Sequence, residues 1–441
     1  MAGSMNGPEL AIVMFFVLLG LIILRMPIAI AMFSVGAVGM AILIGVPQLL
    51  SFLESAPVSR TASYSLSVVP VFMLMGNLAR RSGLSSVLYG AARSWFGHKP
   101  GGIAVATIGG CAMFGAICGS SIATGATMAS VSLPEMRKLG YSGSLSTGCL
   151  AAGGTLGILI PPSIILVIYA IITEQSIGDL FLAALIPGII AMFYYIITIW
   201  IYVRVKPEAG PAGELCSWKE RFHNLKFVWP VVAIFIIVIG GIYQGVFTPT
   251  EAAAIGAACT GIIALVRKIS WEDFLECLID TAKTTGMIFL ILIGAEIYGS
   301  FMALSELPVL ITDIITESNM SPMAVIITIM VIYILMGAVM DGLAMIIITV
   351  PLFLPVVMGL DLGLSPEALA IWFGIMVLSV VETGLITPPV GINVYVINSM
   401  AKDVTLLETF AGVTPFVISD LFRLATIIMF PAIVLWLPGL M

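Results

Sequence analysis

Charge is scarce in this chain. Asp, Glu, Lys and Arg together make up 10% of the 441 residues, against roughly 25% in a soluble domain, and that shortage excludes a water-soluble globule. Histidine occurs only at His98 and His223, and there is no HExxH, paired-aspartate or GxGD pattern, so the residues a membrane-embedded enzyme would need are missing. The six cysteines (Cys111, Cys118, Cys149, Cys216, Cys259, Cys277) lie mostly in apolar segments and never as CxxC, which speaks for small buried side chains rather than disulfides or metal ligands. No Walker A sequence is present, so ATP is not the direct energy source. No ring-forming filter of a channel is visible either. A net charge of −6 without any basic stripe excludes nucleic acid as a partner. The opening MAGSMNGPEL lacks the basic region of a cleaved signal peptide, so the apolar stretch after it reads as a retained span. Its first four residues read as a vector-derived remnant.

What fills the chain instead is apolar: 60% of the residues are hydrophobic and the mean hydropathy is +1.16. Runs near the roughly 20 residues that cross a bilayer recur, among them Leu10–Leu24, Ile28–Val46, Leu180–Val203, Phe227–Val246 and Ala252–Val266. They are apolar on all sides rather than at a period of two, which predicts helices and excludes a barrel. The fold class is therefore an all-α, multi-pass membrane protein.

Internal repetition organises these helices. RMPIAIA (Arg25–Ala31) aligns with TPTEAAA (Thr248–Ala254), Gly76 with Gly294, the stretch Gly119–Pro134 with Met340–Pro355, GILIPPS with GLITPPV, and Pro187 with Pro415, at offsets between about 218 and 228. We divide the chain into an N-terminal segment 1–8, a first repeat 9–205, a loop 206–226 and a second repeat 227–438. Lys and Arg mark the cytoplasmic side: Arg25, Arg80, Arg81, Arg93, Lys99, Arg137, Lys138, the Arg204–Lys226 loop, Arg267, Lys268, Lys283 and Lys402, with Arg60 the one exception. Threading the chain through these marks puts the N-terminus in the periplasm and five crossings in the first repeat. An odd number inverts the second.

Lys99–Lys138 begins and ends at basic residues and so reads as a re-entrant helical hairpin with its tip at Gly119-Ser120-Ser121. Glu317–Asp361 begins and ends at acidic residues and reads as a second hairpin entering from the other side, with its tip at Met340-Asp341-Gly342. Each is followed by a broken helix, about 145–172 and 366–400. Pro161-Pro162 and Pro388-Pro389 remove backbone donors and free carbonyls in Gly153–Ile160 and Thr383–Thr387. Unpaired backbone is not tolerated against lipid, so tips and breaks must face each other or a cavity. Free carbonyls with Ser and Thr hydroxyls make a hard oxygen cage. Half-helix C-termini favour a cation such as Na⁺, and half-helix N-termini favour a substrate carboxylate.

Other polar residues divide. Asp341 reads equally as a functional intramembrane carboxylate and as the cap of the following helix. Asp420 and Arg423, three apart on the last span, read as a structural pair. Glu251 reads as part of a helix start, and Glu296 is left open. The amphipathic stretches Leu49–Ser65 and Ser270–Thr285 sit at matched places and read as interfacial arm helices bracing a moving core.

Five stretches, GSSIATGATMASVSLPEMRKLGY, AAGGTLGILIPPSIILVIYA, GVFTPTEAAAIGA, MGAVMDGLAMIIITVPLFLPV and VETGLITPPVGINVYVINSM, closely resemble the large membrane subunit of tripartite ATP-independent periplasmic (TRAP) transporters. The likeness runs over essentially the whole chain. It implies an inverted-repeat ion-transporter fold with two re-entrant hairpins and two broken transmembrane helices in the bacterial inner membrane. It also implies a Na⁺-driven elevator-type importer of an organic acid, such as sialic acid or a C4-dicarboxylate, handed over by a periplasmic substrate-binding protein. A separate small four-helix membrane subunit is expected beside it, and two or more Na⁺ sites. By this resemblance the ion ligands fall at Ser120, Ser121, Gly154 and Thr155 in the first repeat and at Asp341, Gly342, Thr383 and Thr387 in the second. The substrate falls against Ser120, Thr124, Pro161, Pro162, Pro388 and Pro389. The alternative is a stand-alone Na⁺ or H⁺ carboxylate symporter, which transport without a binding protein would reveal.

Overall fold

The computed structural model describes residues 6–318, 320–338 and 340–440, with side chains for all of these except 56–61 and 316. The first four residues and the side chain of Arg60 thus lie outside the described part. The first half runs through α1 (Gly7–Ile23), α2 (Ile28–Ile44), α3 (Val46–Thr61), α4 (Val68–Arg81), α5 (Leu84–Phe96), α6 (Gly102–Cys118), α7 (Ser121–Lys138), α8 (Gly143–Leu159), α9 (Ile164–Thr173) and α10 (Ile177–Val205). A linking helix, α11 (Trp218–Lys226), leads to the second half. That half begins with α12 (Trp229–Phe235) and α13 (Gly241–Tyr243), joined by a π turn at Ile236–Gly240, and continues with α14 (Pro249–Val266), α15 (Trp271–Leu304) and α16 (Leu307–Glu317). It ends with α17 (Pro322–Gly337), α18 (Gly342–Met358), α19 (Pro366–Ile386), α20 (Ile392–Met400), α21 (Leu406–Met429) and α22 (Ala432–Leu435). No strand occurs among the described residues.

The two halves use the same starting signals. Ser142 caps α8 by accepting from the Leu145 amide at 3.3 Å, and Ser365 caps α19 by accepting from Ala368 at 3.2 Å. Ser176 caps α10 and Thr405 caps α21, each accepting a backbone N–H three residues on, at 3.2 and 3.3 Å. A side-chain oxygen there satisfies one of the orphan donors of a helix start, which matters most where no water can do so. Thr248 and Glu251 close a reciprocal capping box at the start of α14, with Thr248 N donating to Glu251 Oε2 at 2.8 Å and Glu251 N to Thr248 Oγ1 at 3.3 Å. That accounts for Glu251 without any ion.

Among the described residues five helices, α10, α14, α15, α19 and α21, are long and apolar enough to cross a membrane singly. Helices α8 and α9 form a span bent by 43° at their break. Two bodies can be distinguished. In one, the halves exchange helices: α2 lies on α15 so closely that a Cβ on Gly36 would stand 2.7 Å from Tyr298 N, and α14 lies on α4, with Gly256 facing Met75 Sδ at 2.5 Å by the same measure. At one end of this body Asn77 Nδ2 donates to Thr281 Oγ1 at 2.9 Å, Arg80 pairs with Asp280 at 3.1 Å, and Arg81 pairs with Asp273 at 2.8 Å and with Glu276. The ion pairs are half exposed and contribute about 0–1 kcal/mol each. They set direction more than strength. In the other body α6–α10 and α17–α21 wrap around α8 and α19, and α19 is buried along its whole transmembrane length.

The arms differ from the sequence reading in one respect. Ser270–Thr285 is not a separate helix: Ser270 caps α15, which then runs unbroken for 34 residues, whereas its first-half counterpart is interrupted between α3 and α4 by a short 3-10 turn at Tyr64–Ser67. The apolar-to-polar boundary at Thr285 marks a change of surroundings, not a helix end.

Candidate functional site

Each half folds back on itself at a tip. Helices α6 and α7 are joined by Gly119 and Ser120 alone, with Gly119 in the left-handed region at φ +65°, which a residue with a side chain adopts only under strain. Ser120 Oγ accepts from the Ala123 amide at 3.3 Å and so starts α7. In the second half Asp341 starts α18 in the same way, its Oδ2 accepting from the Ala344 amide at 3.4 Å. The two tips thus carry one device with two side chains, and the capping reading of Asp341 holds.

The tips lie directly against the breaks. A Cβ on Gly157 would come within 2.4 Å of Thr124 Oγ1 and 2.8 Å of Ser120 O, one on Gly154 within 3.0 Å of Ser121 O, and one on Gly119 within 2.9 Å of Pro162 O. Ser120, Ser121, Thr124, Gly154 and the Pro161-Pro162 pair therefore meet at one place. Thr124 Oγ1 is buried there without a hydrogen-bond partner. A buried hydroxyl beside backbone carbonyls fits a small hard cation, which takes oxygen ligands of this kind. The second half repeats the approach: a Cβ on Gly337 would stand 3.2 Å from Gly384 Cα, as one on Gly115 would stand 2.6 Å from Gly157 Cα in the first. Ala338 O accepts from the Val390 amide at 3.2 Å, tying the second hairpin to the residue after Pro388-Pro389. Thr387 Oγ1 donates to Thr383 O at 2.6 Å and Thr383 Oγ1 to Ser379 O at 3.0 Å. Both hydroxyl oxygens keep lone pairs for a ligand. Gly342 packs on Val381. Both Pro-Pro bonds are cis. Pro161 and Pro162 are buried, whereas Pro388 and Pro389 are exposed, so in this conformation only the second break is open to solvent or lipid.

Thr155 lies apart from its neighbours at the break. Its hydroxyl donates to Ala152 O at 2.8 Å and stands 3.1 Å from Tyr195 Oη, on the far side of α8 from the hairpin tip. Tyr195 in turn donates to Asp420 Oδ2 at 2.8 Å. Asp420 Oδ1 lies 3.2 Å from Arg423 Nη2, and Arg423 Nη1 lies 3.0 Å from Glu382 Oε2. Glu382, Asp420 and Arg423 are all at 0% exposure. One guanidinium thus faces two carboxylates between the broken helices of opposite halves. The cluster follows the repeat: Thr155 with Tyr195 on α8 and α10 corresponds to Glu382 with Arg423 on α19 and α21. Sequence reading found the Asp420–Arg423 spacing but not Glu382 or Tyr195; the carboxylate inside the apolar run VLSVVETGLI is the signal that could have led there. The halves are also stitched by Tyr169 Oη donating to Ala370 O at 2.6 Å and Asn393 Nδ2 donating to Ala151 O at 3.4 Å.

Glu296 and Ser300 of α15 line a cavity of about 360 Å³ on the boundary between the two bodies, opposite Ile171 and Ile172 of α9 and Val350–Pro355 of α18. Among the described residues no three His, Cys, Asp or Glu side chains converge as a metal site, and all six cysteines are free.

The class the fold defines is an all-helical bundle with several helices long and apolar enough to span a membrane, in which each half packs a tight tip against a broken helix. Residues 12–433 match the family described as tripartite ATP-independent periplasmic transporter, DctM component, and the chain belongs to that family as its large membrane subunit. It is 34% identical over 379 residues to the C4-dicarboxylate TRAP transporter large permease protein DctM of Pseudomonas aeruginosa, covering 85% of this chain and 86% of that one. It is 29% identical to the sialic acid TRAP transporter large permease protein SiaM of Vibrio cholerae, covering 96% and 97%. Its fold resembles the crystal structure of the Alcanivorax borkumensis YdaH transporter, with a TM-score of 0.66 at 14% identity over 96% of this chain and 98% of that one.

Proposed function

We propose that this chain is a Na⁺-coupled, elevator-type importer of an organic acid, a C4-dicarboxylate or sialic acid being the best candidates, in the bacterial inner membrane with its N-terminus in the periplasm. The observation that carries the reading is the pairing, in each half, of a small polar hairpin tip with its own Gly and Pro-Pro break, with Thr124 Oγ1 buried and unpartnered at the first. Ser120, Ser121, Thr124 and Gly154 would hold one Na⁺ and Asp341, Gly342, Thr383 and Thr387 a second. The bound ions supply positive charge beside the tips, where Ser120, Thr124 and the Pro388-Pro389 face would orient a carboxylate. Thr155 instead belongs to the strut with Tyr195.

The hairpins α6–α7 and α17–α18 would re-enter from opposite sides, because basic residues flank the first and acidic residues the second. The words tripartite and periplasmic in the family description support a periplasmic binding protein as donor of the acid, and the relatives' designation as large permeases supports a small membrane subunit as the second partner. The separation into an interlocked arm body and a tip-and-break body, with a cavity on their boundary, supports movement of one past the other.

Uptake by proteoliposomes holding the large and small subunits, with candidate binding proteins outside, tests this. Replacing external Na⁺ by choline should abolish accumulation. Undiminished uptake driven by a proton gradient in choline, or uptake without any binding protein, would overturn the reading.

A further inference from the structure

A groove of about 1060 Å³ runs along the outside of α6 and α10, away from both breaks. Its long wall is apolar, with Phe193, Ile197 and Trp200 of α10 each at least half exposed on the molecule's surface. At one end sit two cations, Lys99 and Arg204, and no acidic residue lines the groove. The guanidinium of Arg204 is stacked on the Trp200 ring, 3.8 Å from its centroid, so the charge is held at the mouth rather than trailing in solvent. The floor of that end is fixed. Gly101 N donates to Gly210 O at 2.8 Å, Ser142 N to Ala209 O at 3.0 Å and Gly213 N to Gly97 O at 2.9 Å, which clamp the segment after α10 across the start of α6.

We propose that this groove is a binding site for one anionic phospholipid, its phosphate held between Lys99 and Arg204 and an acyl chain laid along Phe193, Ile197 and Trp200. An apolar wall beneath a two-cation, acid-free mouth suits a lipid of the positively flanked leaflet, and a basic pocket between helices is how membrane proteins select anionic headgroups. A soluble anion would use the mouth alone and leave the apolar wall unexplained. The site is independent of the ion cages and of which acid is carried.

Tryptophan quenching by brominated lipids in nanodiscs tests it, with Trp200 isolated by difference against Trp200→Phe. Dibrominated phosphatidylglycerol should quench the Trp200 signal at a mole fraction about thirtyfold lower than dibrominated phosphatidylcholine, as two headgroup cations near the surface would produce. In Lys99→Gln/Arg204→Gln that preference should vanish while quenching by phosphatidylcholine persists, which also shows that the variant is folded. Equal quenching by the two lipids in the unaltered chain, a preference that survives the double substitution, or displacement of the lipid by millimolar glycerol phosphate would each overturn the proposal. So would loss of all Trp200 quenching in the complex with the small subunit, since the groove would then be covered by protein.

Discussion

Arg423→Met should cost about 3–5 kcal/mol of stability, the usual effect of removing one partner from a fully buried ion pair, and the variant should melt far below the unaltered chain in detergent and fail to transport. The guanidinium is the sole positive charge facing Glu382 and Asp420 among the described residues, and all three groups are at 0% exposure. Methionine fills the volume but leaves two carboxylates in a medium that hydrates neither. Arg423→Lys keeps the charge on a point donor that cannot fork between two carboxylates, and should fall between the two. The electrostatic account makes a sharper claim: Arg423→Met combined with Glu382→Gln and Asp420→Asn should recover most of the lost melting temperature, because no unpaired charge remains. A triple variant no more stable than Arg423→Met would show that shape, not charge, is what Arg423 supplies.

Gly157→Ala should reduce uptake by at least about tenfold, since the new methyl would meet the Ser120 carbonyl at 2.8 Å as well as Thr124 Oγ1 at 2.4 Å. The Thr124 side chain can rotate away, but the Ser120 carbonyl belongs to the hairpin tip and moves only with it. Overpacking of that kind costs about 1–3 kcal/mol and is relieved by lifting the tip off the break. Because the damage falls on the geometry of the cage, the amount of protein in the membrane should change far less than transport. Gly90→Ala, where nothing lies within 4 Å of the added carbon, is the matched control and should transport normally. Equal loss in the two variants would remove the tip-to-break contact from the account.

The parts of this architecture that were legible in the sequence are those where backbone meets backbone. Close approach of α6 to α8 and of α17 to α19 requires glycine at Gly115, Gly157, Gly337 and Gly384, helix starts take Ser, Thr or Asp as caps, and both requirements leave residues of the same kind in each half. The central charge cluster left no such trace. Its symmetry relates a hydroxyl pair, Thr155 and Tyr195, to an ion pair, Glu382 and Arg423, and a comparison of identities cannot see that the four occupy one set of positions. The family resemblance puts Thr155 in the ion site together with Gly154. Consecutive residues on a helix point about 100° apart, so one faces the tip and the other the strut. The unbroken α15 was likewise hidden, because an amphipathic stretch followed by an apolar one looks the same whether or not the helix stops between them.

Two engineered disulfides measure the central claim, that tips and breaks travel together past the arms. On a background with the six native cysteines replaced by alanine, Gly143→Cys/Val404→Cys joins α8 to the residue before the cap of α21 within the tip-and-break body, and Gly299→Cys/Pro351→Cys joins α15 of the arms to α18 of the second hairpin. A Cβ on the glycine would lie 3.5 Å from the partner Cβ in the first pair and 3.9 Å in the second, the separation a disulfide needs. Oxidation should leave Na⁺-driven uptake nearly intact in the first variant and stop it in the second, with recovery on reduction. Full transport by the oxidised Gly299→Cys/Pro351→Cys chain would contradict the claim, since the ions and their acid would then be crossing without any displacement of the hairpin from the arms.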